Sequence, residues 1–169
     1  MFFKVIKVLI FKLFILLALW RCSSNDEPPL NNQIDIDFIK TFGGSNNESA
    51  KSITKTSDGG YAILGYTQSL DGDVINKTNT SYDYWLLKFD QNHNLQWQKT
   101  YGGSGTENLS QIIPTIGGGY LIGGTSDSGV EFEKTEPCIG LYDFWLVKIN
   151  ENGDVEWDKT FGGTNYDIC

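Results

Sequence analysis

Histidine, methionine and cysteine are scarce in this chain of 169 residues, which has one, one and three of them. With His93 alone and no paired thiols at ligand spacing, the sequence offers no zinc site, and a Cys–His catalytic pair has no support. Basic residues are few too, since 13 Lys and Arg stand against 21 Asp and Glu. Because nucleic-acid binding needs clustered Lys and Arg, this balance argues against nucleic acid as a partner.

Long hydrophobic runs are missing except at the N-terminus, where Val8 to Trp20 is interrupted only by Lys12. About a dozen apolar residues after a basic start are typical of a secretory signal peptide, whereas a membrane-spanning helix needs about 20. We therefore predict a cleaved signal peptide over residues 1–21. Leu19-Trp20-Arg21-Cys22 resembles the bacterial lipobox, which implies a diacylated Cys22, although Arg21 replaces the small residue of that pattern. The alternative is an uncleaved anchor with an incidental cysteine.

The segment after Cys22 is polar and acidic, with Asp26 and Glu27 followed by two prolines. This composition predicts a flexible tether over residues 22–33. It also resembles the acidic export signal of surface lipoproteins in some Gram-negative bacteria. The expected location is the cell envelope, as an outer-membrane lipoprotein exposed at the surface. The membrane is then a partner through the lipid anchor.

An internal repeat of about 60 residues occupies the rest of the chain. The phrase Phe38-Ile-Lys-Thr-Phe-Gly-Gly recurs from Trp97 and again from Trp157, 59 and 60 residues further on. Two more phrases recur with it, a Gly-Gly-Tyr turn before Tyr61 and Tyr120 and an Asp-x-Trp-Leu-x-Lys strand from Asp83 and Asp143. We predict a first repeat over 34–96, a second over 97–156 and the start of a third over 157–169.

Each repeat reads as four strands, and helical periodicity is missing. In the first repeat the predicted strands are Ser49 to Lys55, Tyr61 to Thr67, Tyr84 to Asp90 and Leu95 to Tyr101. Glycines between the first two supply the positive φ of a tight hairpin. Trp85-Leu86-Leu87 is apolar on both faces, as expected of a strand covered on both sides.

These motifs resemble the repeat of bacterial secreted β-propeller proteins, roughly W-x-K-T-[FY]-G-G, D-G-G-Y and D-x-W-L-x-K. The resemblance implies an all-β fold of four-stranded antiparallel propeller-type blades, two complete and a third begun. A closed propeller needs about four to eight blades. We therefore expect a truncated reading frame. The alternative is a short protein that completes its ring by self-association.

The long loops, Gln68 to Tyr82 and Thr125 to Tyr142, are the expected place for binding. Asp71, Asp73 and Asp83 are weak calcium candidates, because calcium takes several oxygen ligands from flexible loops. An ordinary solvated loop is the alternative, and no other metal, cofactor or catalytic residue is predicted. Asp83 and its repeat Asp143 are expected to hold blade corners by accepting backbone hydrogen bonds.

The remaining expectations are structural. His93 is predicted at positive φ in a surface turn. Cys138 and Cys169 are expected to stay unpaired. The aromatic residues of the repeat are expected to fill the core between blades rather than stack on sugars: Trp85, Trp97, Trp145 and Trp157.

The predicted function is a non-catalytic cell-surface or periplasm-facing lipoprotein whose repeats form a binding or structural scaffold for glycan or protein. A propeller glycoside hydrolase, or a fragment of one, is the alternative. That chemistry needs two carboxylates about 5 to 9.5 Å apart, and no acidic pair stands out in the sequence. A bulb-type lectin is a third reading, but only Asp90 and Asn92 of its mannose pattern are present.

Overall fold

A computed structural model describes residues 39–167 of the chain. The described residues from Thr41 onwards belong to one compact unit. The predicted signal peptide over 1–21, the predicted lipidation site Cys22, the predicted tether over 22–33 and Cys169 lie outside the described residues. Within 39–167 the fold is all-β, and no helix is long and apolar enough to cross a membrane.

Eight strands form two antiparallel sheets of four strands each. Both sheets have the strand order of the sequence, so neighbouring strands are joined by simple hairpin connections. The first sheet contains β1 Glu48–Lys55, β2 Tyr61–Thr67, β3 Asp83–Phe89 and β4 Leu95–Tyr101, and the second contains β5 Glu107–Pro114, β6 Tyr120–Ser126, β7 Asp143–Ile149 and β8 Val155–Phe161.

The four strands predicted for the first repeat are present with nearly the predicted bounds. β3 ends at Phe89 rather than Asp90, because Phe89 pairs with Tyr61 while the Asp90 carboxylate caps the following turn. Asp90 accepts the backbone N–H groups of Asn92 and Asn94, each at 2.8 Å. His93 lies in this turn with φ 64°, as predicted, and Gly153 holds the equivalent position with φ 79°.

The repeat phrase occupies the last strand of a sheet and the turn after it. Its second copy forms β4 and its third copy forms β8, so Trp157 to Phe161 belongs to the second sheet. The repeats defined by the phrase therefore begin in the last strand of one sheet, so their boundaries do not coincide with the boundaries of the sheets. A sheet begins ten residues after the first residue of the phrase, at Glu48 or Glu107.

Alternate side chains of β3 point to opposite faces, and both faces are buried. Tyr84 and Leu86 belong to a core shared by the two sheets, which includes Trp145 and Val147 of β7. A smaller core lies on the other face of the first sheet, and its buried members are Val74, Trp85, Leu87 and Phe89. The apolar run in β3 thus has the double burial that its pattern predicts.

The recurrent lysine of β3 and β7 has a structural role in each sheet. The pairing of β3 with β4 shifts register between Lys88 and Phe89, and that of β7 with β8 shifts between Lys148 and Ile149. The Lys88 ammonium donates to the Phe89 carbonyl oxygen at 3.0 Å, and Lys148 donates to that of Ile149 at 2.9 Å. Each lysine therefore stabilises a bulge in its sheet.

Candidate binding groove and the recurrent carboxylates

A groove of about 420 Å³ lies between the outer strand β4 of the first sheet and the turn from β7 to β8 of the second. Both long loops reach it, through Asn76 of the first and Glu133 of the second. Binding sites are commonly formed by loops held on a rigid scaffold. This groove is the place where the two repeats jointly line one cavity.

Two contacts between the sheets form the groove. The buried Tyr101 hydroxyl donates to the Gly153 carbonyl oxygen at 2.8 Å, and burial raises the pKa of Tyr101. Lys99 of β4 forms an ion pair with Asp154, with 2.6 Å between Nζ and Oδ1. Gly153 is required at this point, because an added Cβ would lie 3.0 Å from the Tyr101 oxygen at φ 79°.

The groove offers both hydrogen-bond donors and acceptors. Asn76, at a backbone position with φ 66°, and Thr100 of β4 line the cavity. Gln98 also lines it, but its amide accepts the Trp85 indole N–H at 2.6 Å and donates to the Ile75 carbonyl oxygen at 3.3 Å. Glu133 supplies a carboxyl group whose pKa is raised by burial, although N–H groups of Glu133 itself and Gly102 act in the opposite direction. Such a mixture suits a ligand rich in hydroxyl groups.

A set of acids that the sequence analysis missed holds the start of each sheet. Glu48, Glu107 and Asp167 each follow the second glycine of the repeat phrase by four residues. Each accepts the N–H of that glycine, and the distances are 3.2 Å for Glu48, 3.2 Å for Glu107 and 2.6 Å for Asp167. These acids recur at spacings of 59 and 60 residues, and this recurrence could have identified them in the sequence. An acid that recurs with the repeat and binds the same backbone N–H indicates a structural role.

Glu107 is fully buried beside Asp83. Its Oε1 accepts hydroxyl groups of Ser126 and Ser128 at 2.6 and 2.7 Å. Burial, with a smaller contribution from the nearby Asp83, raises the pKa of Glu107 to about 7, against the opposing hydrogen bonds from Ser126 and Ser128. Burial also raises the pKa of Asp83 to about 6, against the opposing effect of Lys77. Two buried carboxyl groups with raised pKa values thus lie close together, one at the start of β3 and the other at the start of β5.

The prediction that Asp83 and Asp143 hold corners by accepting backbone hydrogen bonds is met by one of the two. Asp143 Oδ2 accepts the N–H groups of Ile139 and Gly140, at 2.5 and 3.4 Å. Asp83 instead forms an ion pair with the buried Lys77 at 3.1 Å and accepts the Ser81 hydroxyl at 3.0 Å. The first loop supplies a lysine where the second has Pro137, which explains the difference.

The calcium candidates of the first loop have protein partners. Asp71 Oδ1 accepts the N–H of Ser45 at 2.8 Å, and Asp73 Oδ2 accepts the N–H of Gly43 at 2.9 Å. Together they tie the loop to the chain before β1. Across residues 39–167, no group of three or more His, Cys, Asp and Glu side chains is placed to hold a metal ion.

The tryptophans divide by position in the sheets. Trp85 and Trp145 are buried, as predicted, and Trp97 is partly buried against the shared core. Trp157 was expected in the core but is 44 % exposed, because no further sheet packs on β8 among the described residues. Cys138 is an unpaired, half-buried thiol.

Searches with the whole sequence found no matching model of a known protein family and no matching curated protein.

Proposed function

We propose that the chain is an exported, lipid-anchored protein of the bacterial cell envelope whose repeats are propeller-type blades serving as a non-catalytic scaffold for binding. The ligand class that we propose is a neutral oligosaccharide. The observation that carries this is the groove between the two sheets, whose lining includes the polar residues Asn76, Thr100 and Glu133. Hydroxyl-rich sugars use such mixed donors and acceptors.

The proposal of blades rests on three shared features of the sheets. Both have four antiparallel strands in sequence order, and both carry the same bulge after the recurrent lysine. They also stack through opposite faces, with Tyr84 of one against Trp145 of the other. Stacking of successive four-stranded units is the building principle of a propeller.

The proposal of a lipid anchor rests on the N-terminal sequence and on charge. The four basic residues before Cys22 contrast with the acidic remainder, and each buried methylene of an acyl chain adds about 0.8 kcal/mol to membrane binding. Metabolic labelling with a palmitate analogue tests it. We expect label on the wild-type chain and none on Cys22→Ser, and label on neither chain would contradict the anchor.

Oligosaccharide binding is tested by screening the full chain on immobilised glycans and then measuring affinity for the glycans retained. Two groove variants, Asn76→Gly and Glu133→Gln, are expected to bind about tenfold more weakly. Glycine is chosen at residue 76 because it accepts φ 66° without strain. His93→Gly is the matched control, since His93 also has positive φ but does not line the groove.

A glycoside hydrolase is the second candidate, favoured by the raised pKa values of Asp83 and Glu107. Both side chains are buried, however, and are held by Lys77, Ser126 and Ser128. Release of nitrophenol from nitrophenyl glycosides tests this activity. Hydrolysis by the wild-type chain that is lost in Glu107→Gln would replace the scaffold proposal with the hydrolase.

A further inference from the structure

Each sheet has two different faces, and the contact between the sheets uses one of each. The front face is the one that bears Trp85 in the first sheet and Trp145 in the second. The back face bears Tyr84 and Leu86 in the first sheet and, at equivalent positions, Phe144 and Leu146 in the second. The front face of the second sheet packs on the back face of the first.

This arrangement leaves the front face of the first sheet and the back face of the second without a partner sheet among the described residues. The unpartnered front face of the first sheet is equivalent to the front face of the second sheet, and the unpartnered back face of the second is equivalent to the back face of the first. Those two equivalent faces already pack against each other within the chain. The contact between the sheets therefore serves as a template for a contact between the two outer faces.

The front face of the first sheet contains a hollow of about 240 Å³ with mostly apolar walls. Trp85, Leu87, Ile63 and Phe42 line it. The equivalents of Trp85, Leu87 and Ile63 in the second sheet are members of the shared core: Trp145, Val147 and Ile122. Tyr101 of β4, the repeat equivalent of Phe42, belongs to the same core.

Tyr84 of the first sheet packs against those equivalents. Its ring stacks on Trp145 with centroids 5.3 Å apart, and its hydroxyl donates to the Thr125 carbonyl oxygen at 3.3 Å. The residue equivalent to Tyr84 is Phe144, which lies half-buried on the back face of the second sheet. An aromatic side chain of suitable size is thus available for the hollow beside Trp85.

At the rim of the back face, too, aromatic residues of the second sheet are exposed where their equivalents in the first sheet are buried or partly buried. Tyr101 is 1 % exposed in the contact between the sheets, whereas its equivalent Phe161 is 53 % exposed. Trp97 packs against the shared core, whereas its equivalent Trp157 is exposed. Exposed aromatic residues that are buried at equivalent positions indicate an interaction surface.

We propose that the hollow beside Trp85 receives Phe144 of a second copy of this chain, so that copies associate head to tail through the front face of the first sheet and the back face of the second. This rests on the proposed blade character of the sheets. A head-to-tail contact closes into a ring when its rotation allows. In a ring built from the two described sheets of each copy, about two to four copies would provide four to eight blades.

The first test measures the mass of the full chain by sedimentation equilibrium in a density-matched mild detergent, starting from a single-chain mass of 18.9 kDa. We expect a concentration-dependent assembly in the wild-type chain. Phe144→Glu should weaken it about tenfold or more, because a carboxylate would enter an apolar hollow. Phe132→Glu is the matched control, since Phe132 is exposed on the second long loop, and it should leave the assembly unchanged.

A gain-of-association variant keeps the test decisive if Phe144→Glu does not fold. Lys99 and Asp154 form an ion pair between the sheets, and their equivalents at the outer faces are Lys159 and Asn94. Lys159 pairs with Glu136 within its own copy, and Asn94→Asp supplies a second carboxylate for it. This variant should strengthen association about twofold at low salt, with the gain lost at high salt. Asn92→Asp places the same charge in the same turn away from Lys159 and should have a smaller effect.

The outcomes separate this inference from the proposed function. A monomeric wild-type chain, or an assembly that Phe144→Glu leaves intact, overturns head-to-tail association. The groove variants Asn76→Gly and Glu133→Gln should leave the assembled mass unchanged, because the groove lies within one copy. Failure of glycan binding together with an assembly sensitive to Phe144→Glu would overturn only the binding function.

Discussion

The ring of Tyr84 in the first sheet lies nearly parallel to the ring of Trp145 in the second, with centroids 5.3 Å apart and planes inclined by 20°. Both side chains are fully buried. The pair joins the two repeats at the centre of the shared core, so the stability of each sheet depends on the other.

Tyr84→Ala should lower the free energy of unfolding by about 3 to 5 kcal/mol, since it removes a buried ring and leaves a cavity beside Trp145. Tyr84→Phe keeps the ring and should cost about 1 kcal/mol or less. Urea unfolding followed by tryptophan fluorescence measures both. Equal losses for the two variants would show that the hydroxyl bond, not the ring contact, is what matters.

The raised pKa values of Glu107 and Asp83, about 7 and about 6, predict how stability depends on pH. At these two groups the folded chain binds more protons than the unfolded chain between about pH 4 and pH 7, so their contribution to stability is highest below this range and falls as the pH rises through it. We expect a decrease on the order of 1 to 3 kcal/mol.

Glu107→Gln isolates that effect, because an amide keeps the hydrogen-bonding shape but does not titrate. The variant should lose much of the decrease in stability between about pH 4.5 and pH 8. Carboxyl groups with lowered pKa values, such as Asp58, act in a lower pH range and leave this comparison clear. Urea unfolding at several pH values is the measurement, and parallel curves for the two chains would refute the role of Glu107.

Lys88 of the first sheet is more deeply buried than its equivalent Lys148, so loss of its ion-pair partner should cost more stability. Asp58 pairs with Lys88 at 2.7 Å, and hydrogen bonding from Lys88 holds the pKa of Asp58 below its usual range. Asp58→Asn should cost about 1 to 3 kcal/mol, because a buried ammonium loses its counter-ion. Glu156→Gln is the control in the second sheet, where the partner Lys148 is more exposed, and should cost less in thermal unfolding. A larger cost for the control would contradict this prediction.

The turn that forms the binding groove should tolerate a side chain at Gly153 poorly. Gly153→Ala combines φ 79° with a Cβ only 3.0 Å from the Tyr101 oxygen, so we expect a loss of about 1 to 2 kcal/mol in stability. Gly129→Ala is the control, because nothing lies within 4 Å of its added Cβ and its φ is not positive. It should be neutral or slightly stabilising in thermal unfolding, and similar losses for both would argue against the strain at Gly153.

Much of each sheet could be predicted from the sequence because its signals are local. Alternation and apolar character identified the strand around Trp85, and glycines identified the turn before Tyr61. The role of Lys77 could not be predicted, since its pairing with Asp83 depends on how a long loop folds back. The buried Glu107 was missed for a similar reason, because its hydroxyl partners lie about twenty residues further along the chain.

Local signals in the sequence are enough to predict the repeat, the strands and the tight turns, because backbone preference and side-chain alternation act between near neighbours. Tertiary structure alone decided which faces meet and what lies between them. The groove exists because Lys99 meets Asp154, 55 residues away, and Tyr101 meets Gly153. Such contacts depend on the packing of whole sheets, so side chains with equivalent places in the repeat, such as Trp97 and Trp157, end in different surroundings.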